Sequence, residues 1–304
     1  MEAVQKVKEQ PVNSSQIVGI NRQTFLQKMK AYKRQPLSLV LLILVGLSAV
    51  VTVGILLFLI GYILANGIPN IKPELFEWEY NTENVSMLPS IINTLYMTGL
   101  TLLMAVPIGV FSAIYLVEYA KRGNKLVNIV RVTTETLQGI PSIVFGLFGY
   151  LMFSLGLKWG YTLLAGAITL AIMVLPVIMR TTEEALLSVP DSYREGSFGL
   201  GAGRLRTVFC IVLPSAMPGI FSGIILAIGR IVGETAALIF TAGTVATAAT
   251  GVFDSTRTLA VHMYCLLSEG LYTNQAYATA VILLVMVLLI NAFSSFVAKK
   301  FTKA

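Results

Sequence analysis

The chain has 304 residues, 56% of them hydrophobic and only 12% charged, with a formal net charge of +7. A soluble domain carries about 25% charged residues, so the composition excludes a soluble enzyme and implies an all-α integral membrane protein. It also excludes a nucleic-acid-binding module, which needs its basic residues on a solvated face.

In chain order, residues 1–36 are polar and basic, with no apolar run of the signal-peptide kind. Ile17, Ile20, Phe25 and Met29 form a broken apolar stripe among lysines and arginines. This predicts an interfacial helix lying on membrane lipid at the inner face; a basic tail without fixed structure is the alternative. Residues 36–71 carry no charge. About 20 apolar residues cross a bilayer, which puts a first span at 37–64. A second span, 89–117, contains Pro107. A basic loop with Lys121, Arg122, Lys125 and Arg131 follows. The third span, 136–157, opens on Gly139 and Pro141. Those two residues predict a broken or re-entrant entry, tolerated where protein or water covers the backbone. The fourth span is 161–179, the fifth 217–242 and the sixth 277–297. Trp78, Tyr80, Trp159 and Tyr161 fall where outer interfacial aromatic anchors belong.

The Lys and Arg positions orient these spans. Seven lie before the first span, four in the loop at 121–131, four in residues 180–214 and three in the tail. That puts 18 on one side against Lys72, Lys158 and Arg257 on the other. Cytoplasmic loops collect Lys and Arg, so both termini and the 180–214 loop are expected in the cytoplasm.

That loop is a polar, Gly-rich island between apolar segments. Ser192 and Glu195 have capping-box spacing, which predicts a short helix beginning just after Pro190. Tyr193, Ser197 and Leu200 are its expected inward or partner-facing positions. Gly196 and Gly201 keep its surface flat enough for another backbone to approach. A second charged feature lies inside the fifth span. Arg230 and Glu234 are four residues apart, on one face of a helix, near the middle of the span. A charge there costs about 2.5–3.5 kcal/mol. A structural salt bridge is one reading. The other is an anion-handling pair, in which the forked donors of Arg match oxyanion oxygens and Glu eases release. Arg180, at the inner end of the fourth span, is a topology anchor or a last cationic contact on the same path.

No metal or cofactor is expected. Cys210, Cys265 and the single His262 form no ligand spacing, and His262 reads as a plain loop residue. No G-x4-G-K-[ST] run is present, so ATP hydrolysis would belong to a separate subunit.

Glu195, the small residues Gly196 and Ser197, Gly201, and then Ile211, Leu213 and Pro214 resemble the EAA loop of ABC importer permeases. The family pattern has two alanines where Gly196 and Ser197 stand. The runs Gly229-Arg-Ile-Val-Gly-Glu-Thr-Ala-Ala-Leu238, Gly139–Leu147, Ile114–Ala120 and Val189–Glu195 resemble the Pst phosphate importer permeases, the PstA type above the PstC type. The resemblance covers about residues 85–300. It implies a type I ABC importer permease fold with a 37–304 permease domain in the bacterial cytoplasmic (inner) membrane. It further implies a homologous PstC-like permease, two copies of a PstB-like ATPase and an extracytoplasmic PstS-like phosphate-binding protein. Rival expectations are a permease for sulfate, molybdate or phosphonate, a membrane-embedded enzyme, and a passive channel.

Overall fold

A computed structural model describes residues 36–121 and 123–302; the interfacial helix expected near 17–32 lies outside the described residues. The chain divides into two compact units, residues 1–61 and 62–304. The described part of the first is the apolar helix α1 (Pro36–Gly67), whose end runs into the second unit. Leu, Ile and Val occupy all its faces and no charge interrupts it, the pattern of a helix surrounded by apolar material.

Within the second unit the described residues form α2 (Leu88–Ile114), α3 (Lys125–Gln138), α4 (Ser142–Gly149), α5 (Leu163–Leu187), α6 (Asp191–Gly199), α7 (Arg204–Thr207), α8 (Leu213–Val232), α9 (Ala236–Thr241), α10 (Leu259–Glu269) and α11 (Thr273–Thr302). Wider π turns extend α2 through Tyr119, extend α4 through Gly156 and join α7 to α8. Among the described residues, five helical segments are long and apolar enough to cross a membrane, and a sixth crossing results if α3 and α4 are taken as one. Those two meet at 103°. Gly139 and Pro141 sit at the bend, where Pro141 (φ −59°) begins the second limb. Gln138 donates from Nε2 to the Pro176 carbonyl at 3.1 Å, fixing the bend against α5.

α5 is the central helix. Met97 of α2, Leu170, Met173 and Val174 of α5, and Ile231 of α8 share one buried core. α9 lies against α4 because Gly146 has no side chain: a Cβ there would come within 2.8 Å of the Ala237 Cα. Several span boundaries differ from the sequence expectation: the first limb of the third already begins at Lys125, and the sixth runs over Thr273–Thr302. α5 continues to Leu187, two turns past the expected end, so Arg180 lies within a helix. The expected 217–242 span is not one helix. The long helix runs over 204–232 and breaks at Gly233, and α9 begins at Ala236.

The bundle has two distinct ends. α6 lies at the end where α2 and α5 terminate. At the opposite end, residues 243–258 are pinned to α2. Asn93 donates to Thr247 O and accepts from Ala249 N, both at 2.9 Å, and Thr94 Oγ1 accepts from Leu259 N at 2.8 Å. Asp254 closes this loop on itself; hydrogen bonds from the Thr250 hydroxyl and the Gly251 and Thr250 amides hold its carboxyl below the usual range.

Candidate coupling element and anion path

α6 starts from Pro190, with Asp191 in its first turn, where a carboxylate suits the helix dipole. The expected capping box does not form: Pro190 is the N-cap, no side chain caps it, and Ser192 is already inside the helix. The other end closes as a Schellman motif. Ala202 N donates to Ser197 O and Gly201 N to Phe198 O, with Gly201 in the left-handed region at φ +81°. A residue with Cβ is strained there, so Gly201 shapes the end of the element and is not merely a flat spot on it.

The side chains of α6 divide into two sets. Tyr193 is 52% exposed, Phe198 47% and Leu200 90%; Glu195 and Gly196 are exposed with them. Ser197, expected inward or toward a partner, turns inward. Its hydroxyl lies 2.8 Å from Thr207 Oγ1, in the interior. Of the downstream trio, Pro214 is exposed, while Ile211 and Leu213 are half-buried, Leu213 against the cluster of Ala113, Leu186 and Val212. Leu205, 65% exposed, adds a further apolar side chain beside α6.

Arg194 holds the element to the bundle. Its Nη2 donates to Glu118 Oε1 at 2.7 Å and to Leu186 O at 2.9 Å, and its Nη1 donates to Val189 O at 2.8 Å and to Asp191 Oδ1 at 3.2 Å. Glu118 is buried at the end of α2, and the Leu186 carbonyl, which also accepts from Val189 N at 3.4 Å, and the Val189 carbonyl lie where α5 ends. One guanidinium thus ties α6 to two long helices. Sequence reasoning used Arg194 only as a topological charge. The available signal was Glu118, an acid immediately after the charge-free run 84–117.

The second candidate region is the break after α8. Arg230 lies in the last turn of that helix, where a cation suits the dipole; it is not near the middle of a span. Glu234 lies in the break and is buried, and its Oε1 accepts from Ala237 N at 3.1 Å, at the start of α9. The two therefore do not share a helix face, and they are not among the ion pairs of the described residues. The salt-bridge reading lacks its geometry. Arg230 is half-buried, and no described residue accepts a hydrogen bond from it or pairs with it. Arg180 is elsewhere, at the α6 end. It is largely exposed and donates from Nε to Glu184 Oε1 at 3.0 Å. It lines a cavity of about 270 Å³ with Arg131, Glu135, Glu183 and Glu184. Arg131 pairs with Glu183, so acids outnumber bases there, and the cavity does not favour an anion.

Residues 105–303 match the family model described as the binding-protein-dependent transport system inner membrane component. The chain belongs to this family. Relatives that it resembles include the probable ABC transporter permease protein YqgI of Bacillus subtilis. That protein is 35% identical over 269 residues, covering 81% of this chain and 90% of the relative. The phosphate transport system permease protein PstA of Haemophilus influenzae is 30% identical over 272 residues, covering 88% and 96%. PstA 1 of Mycobacterium tuberculosis is 40% identical over 154 residues, about half of each chain. Among solved structures, that of a bacterial ABC transporter involved in alginate import superposes with a TM-score of 0.63 at 17% identity. It covers 91% of this chain and 99% of that one. At that identity the likeness establishes the fold alone. The binding-protein-dependent component is thus a multi-pass inner membrane protein of PstA type and a permease subunit of an ABC importer, not an enzyme.

Proposed function

We propose that the chain is the permease subunit of an ATP-driven importer of inorganic phosphate, forming half of the translocation path. The observation that carries this reading is Arg230: a half-buried guanidinium with no ion-pair partner among the described residues, beside the break after α8, in a chain whose relatives include phosphate transport permeases of PstA type. Its forked donors suit phosphate oxygens. Glu234 holds the start of α9 in place beside it and keeps the break in shape.

The proposed assembly adds a homologous PstC-like permease, two PstB-like ATPases and a PstS-like binding protein on the outer face. Both termini are cytoplasmic, as is α6. α6 docks on the ATPase through Tyr193, Glu195, Gly196, Leu200 and the neighbouring Phe198. Ser197 and Gly201 preserve its shape, and Ile211, Leu213 and Pro214 carry it onto α8. ATP-driven closure moves α6, the Arg194–Glu118 link passes that motion to α2 and α5, and the path alternates between its two sides. Arg180 acts as an anchor at the inner end. The experiment is uptake of labelled phosphate by the reconstituted importer, in competition with sulfate, molybdate and phosphonate. Phosphate is expected to compete best. Preference for another oxyanion leaves the coupling reading intact and overturns the substrate.

A further inference from the structure

The end of the bundle opposite α6 contains a charge that no described residue balances. Arg257 is 4% exposed, yet its Nε and Nη2 have no hydrogen-bond partner in the protein. No carboxylate pairs with it among the described residues. Its guanidinium carbon lies 4.5 Å from the centre of the Tyr80 ring. A cation over an aromatic face is attracted to the ring, but burying an uncompensated ion costs more than that attraction returns. Tyr80 therefore offsets only part of the cost.

The position is held firmly. Arg257 N donates to Val245 O at 3.0 Å, and its carbonyl accepts from Asn93 Nδ2 at 3.3 Å. On the next element stands His262, fully buried, with its ring 6.1 Å from that of Tyr80 at 88°. Burial, and secondarily the charge of Arg257, push the His262 pKa down to about 3. Tyr80 also lines a cavity of about 450 Å³ with Trp78, Glu79, Tyr96 and Thr247–Thr250, so one side chain is common to the buried cation and to open space.

The two free donors matter as a pair. Nε–H and Nη2–H are the adjacent parallel donors of the guanidinium edge, the arrangement that binds two oxygens of one anion at once. We infer that Arg257, under Tyr80 and beside His262, is a binding site for a small oxyanion, separate from Arg230 and away from the coupling end. An oxyanion matches that edge with two oxygens, one to each donor. The site does not depend on phosphate being the transported substrate.

His262 is the only histidine in the chain, so it is a built-in reporter. The experiment is a titration of the full chain, purified in detergent and labelled with 15N at histidine, with inorganic phosphate and separately with sulfate. A saturable shift of the His262 ring signals is expected in the wild type and in Arg230→Ala. In Arg257→Gln the apparent affinity is expected to fall at least about tenfold, the loss of a charged pair of hydrogen bonds. Equal saturation by sulfate supports the oxyanion site and leaves the phosphate reading, which rests on Arg230, to the uptake experiment. The inference is overturned if neither anion shifts His262 in the wild type. It is equally overturned if Arg257→Gln retains the affinity, or if Arg230→Ala abolishes the shift, since the signal would then come from the path around Arg230. The wild-type titration decides the matter even if Arg257→Gln does not fold.

Discussion

Arg194 and Glu118 are 76 positions apart, yet two nitrogens of one converge on a single oxygen of the other, at 3.1 and 2.7 Å. The pair joins the short helix α6 to the end of α2, with 14% and 8% of the two side chains exposed. Breaking a buried pair from one side costs about 3–5 kcal/mol, because the surviving charge is stranded. Arg194 keeps its carbonyl partners, so Glu118→Gln is expected at the low end, with a clear fall in melting temperature. The same variant is expected to hydrolyse ATP while importing less substrate per ATP. Uptake and hydrolysis measured on one preparation check this.

Ser197 and Leu200 are three residues apart in α6 and are expected to fail differently. Ser197→Ala removes the hydroxyl contact to Thr207, a loss of about 1 kcal/mol, and lowers thermal stability slightly. Leu200→Asp removes nothing from the fold, since Leu200 is 90% exposed. It is expected to leave the melting temperature unchanged and to weaken co-purification of the ATPase subunit.

Gly201→Ala puts a Cβ on a backbone at φ +81°. The left-handed conformation costs an L-residue about 1–2 kcal/mol. A melting shift of that size, with weaker ATPase binding, is expected. Gly196→Ala, in open space within the same helix, is expected to stabilise α6 slightly. Differential scanning of the two variants separates strain from propensity.

His262 adds a pH dependence. Its folded pKa of about 3 lies below its ordinary 6.5, so the folded protein favours the neutral ring. Above pH 6.5 both states are neutral and stability is full. As pH falls from about 6.5 toward 3, the unfolded chain takes up a proton that the folded chain refuses, and stability declines. The slope approaches about 1.4 kcal/mol per pH unit for this group. His262→Gln is expected to flatten this part of the acid-unfolding curve, followed by tryptophan fluorescence.

The spans were legible in the sequence because charge-free runs of more than 20 residues have one physical use. The α3–α4 bend was legible too, because Gly139 and Pro141 each disfavour helix. The break after α8 was not. Residues 217–242 are apolar on both sides of Gly233, periodicity is silent in such a run, and a single glycine is common in membrane helices. Arg230 and Glu234 therefore looked like a pair on one face, when the chain turns between them. Whether Ser197 faced inward or toward a partner stayed open in the sequence, because a short helix rich in small residues does not declare its buried face. Arg194–Glu118 and Arg257–Tyr80 are long-range meetings that spacing along the chain cannot express. Tyr80, read in the sequence as an interfacial anchor, also covers a buried cation.

The central claim is that Arg230 handles the transported anion. The most direct measurement is phosphate uptake alongside ATP hydrolysis in proteoliposomes. These would contain this chain, a homologous permease and the ATPase, with phosphate-loaded binding protein added, comparing wild type with Arg230→Ala. Hydrolysis stimulated by the loaded binding protein is expected in both, with uptake reduced at least about tenfold in the variant. Uptake at the wild-type rate by a normally assembled Arg230→Ala complex would contradict the claim.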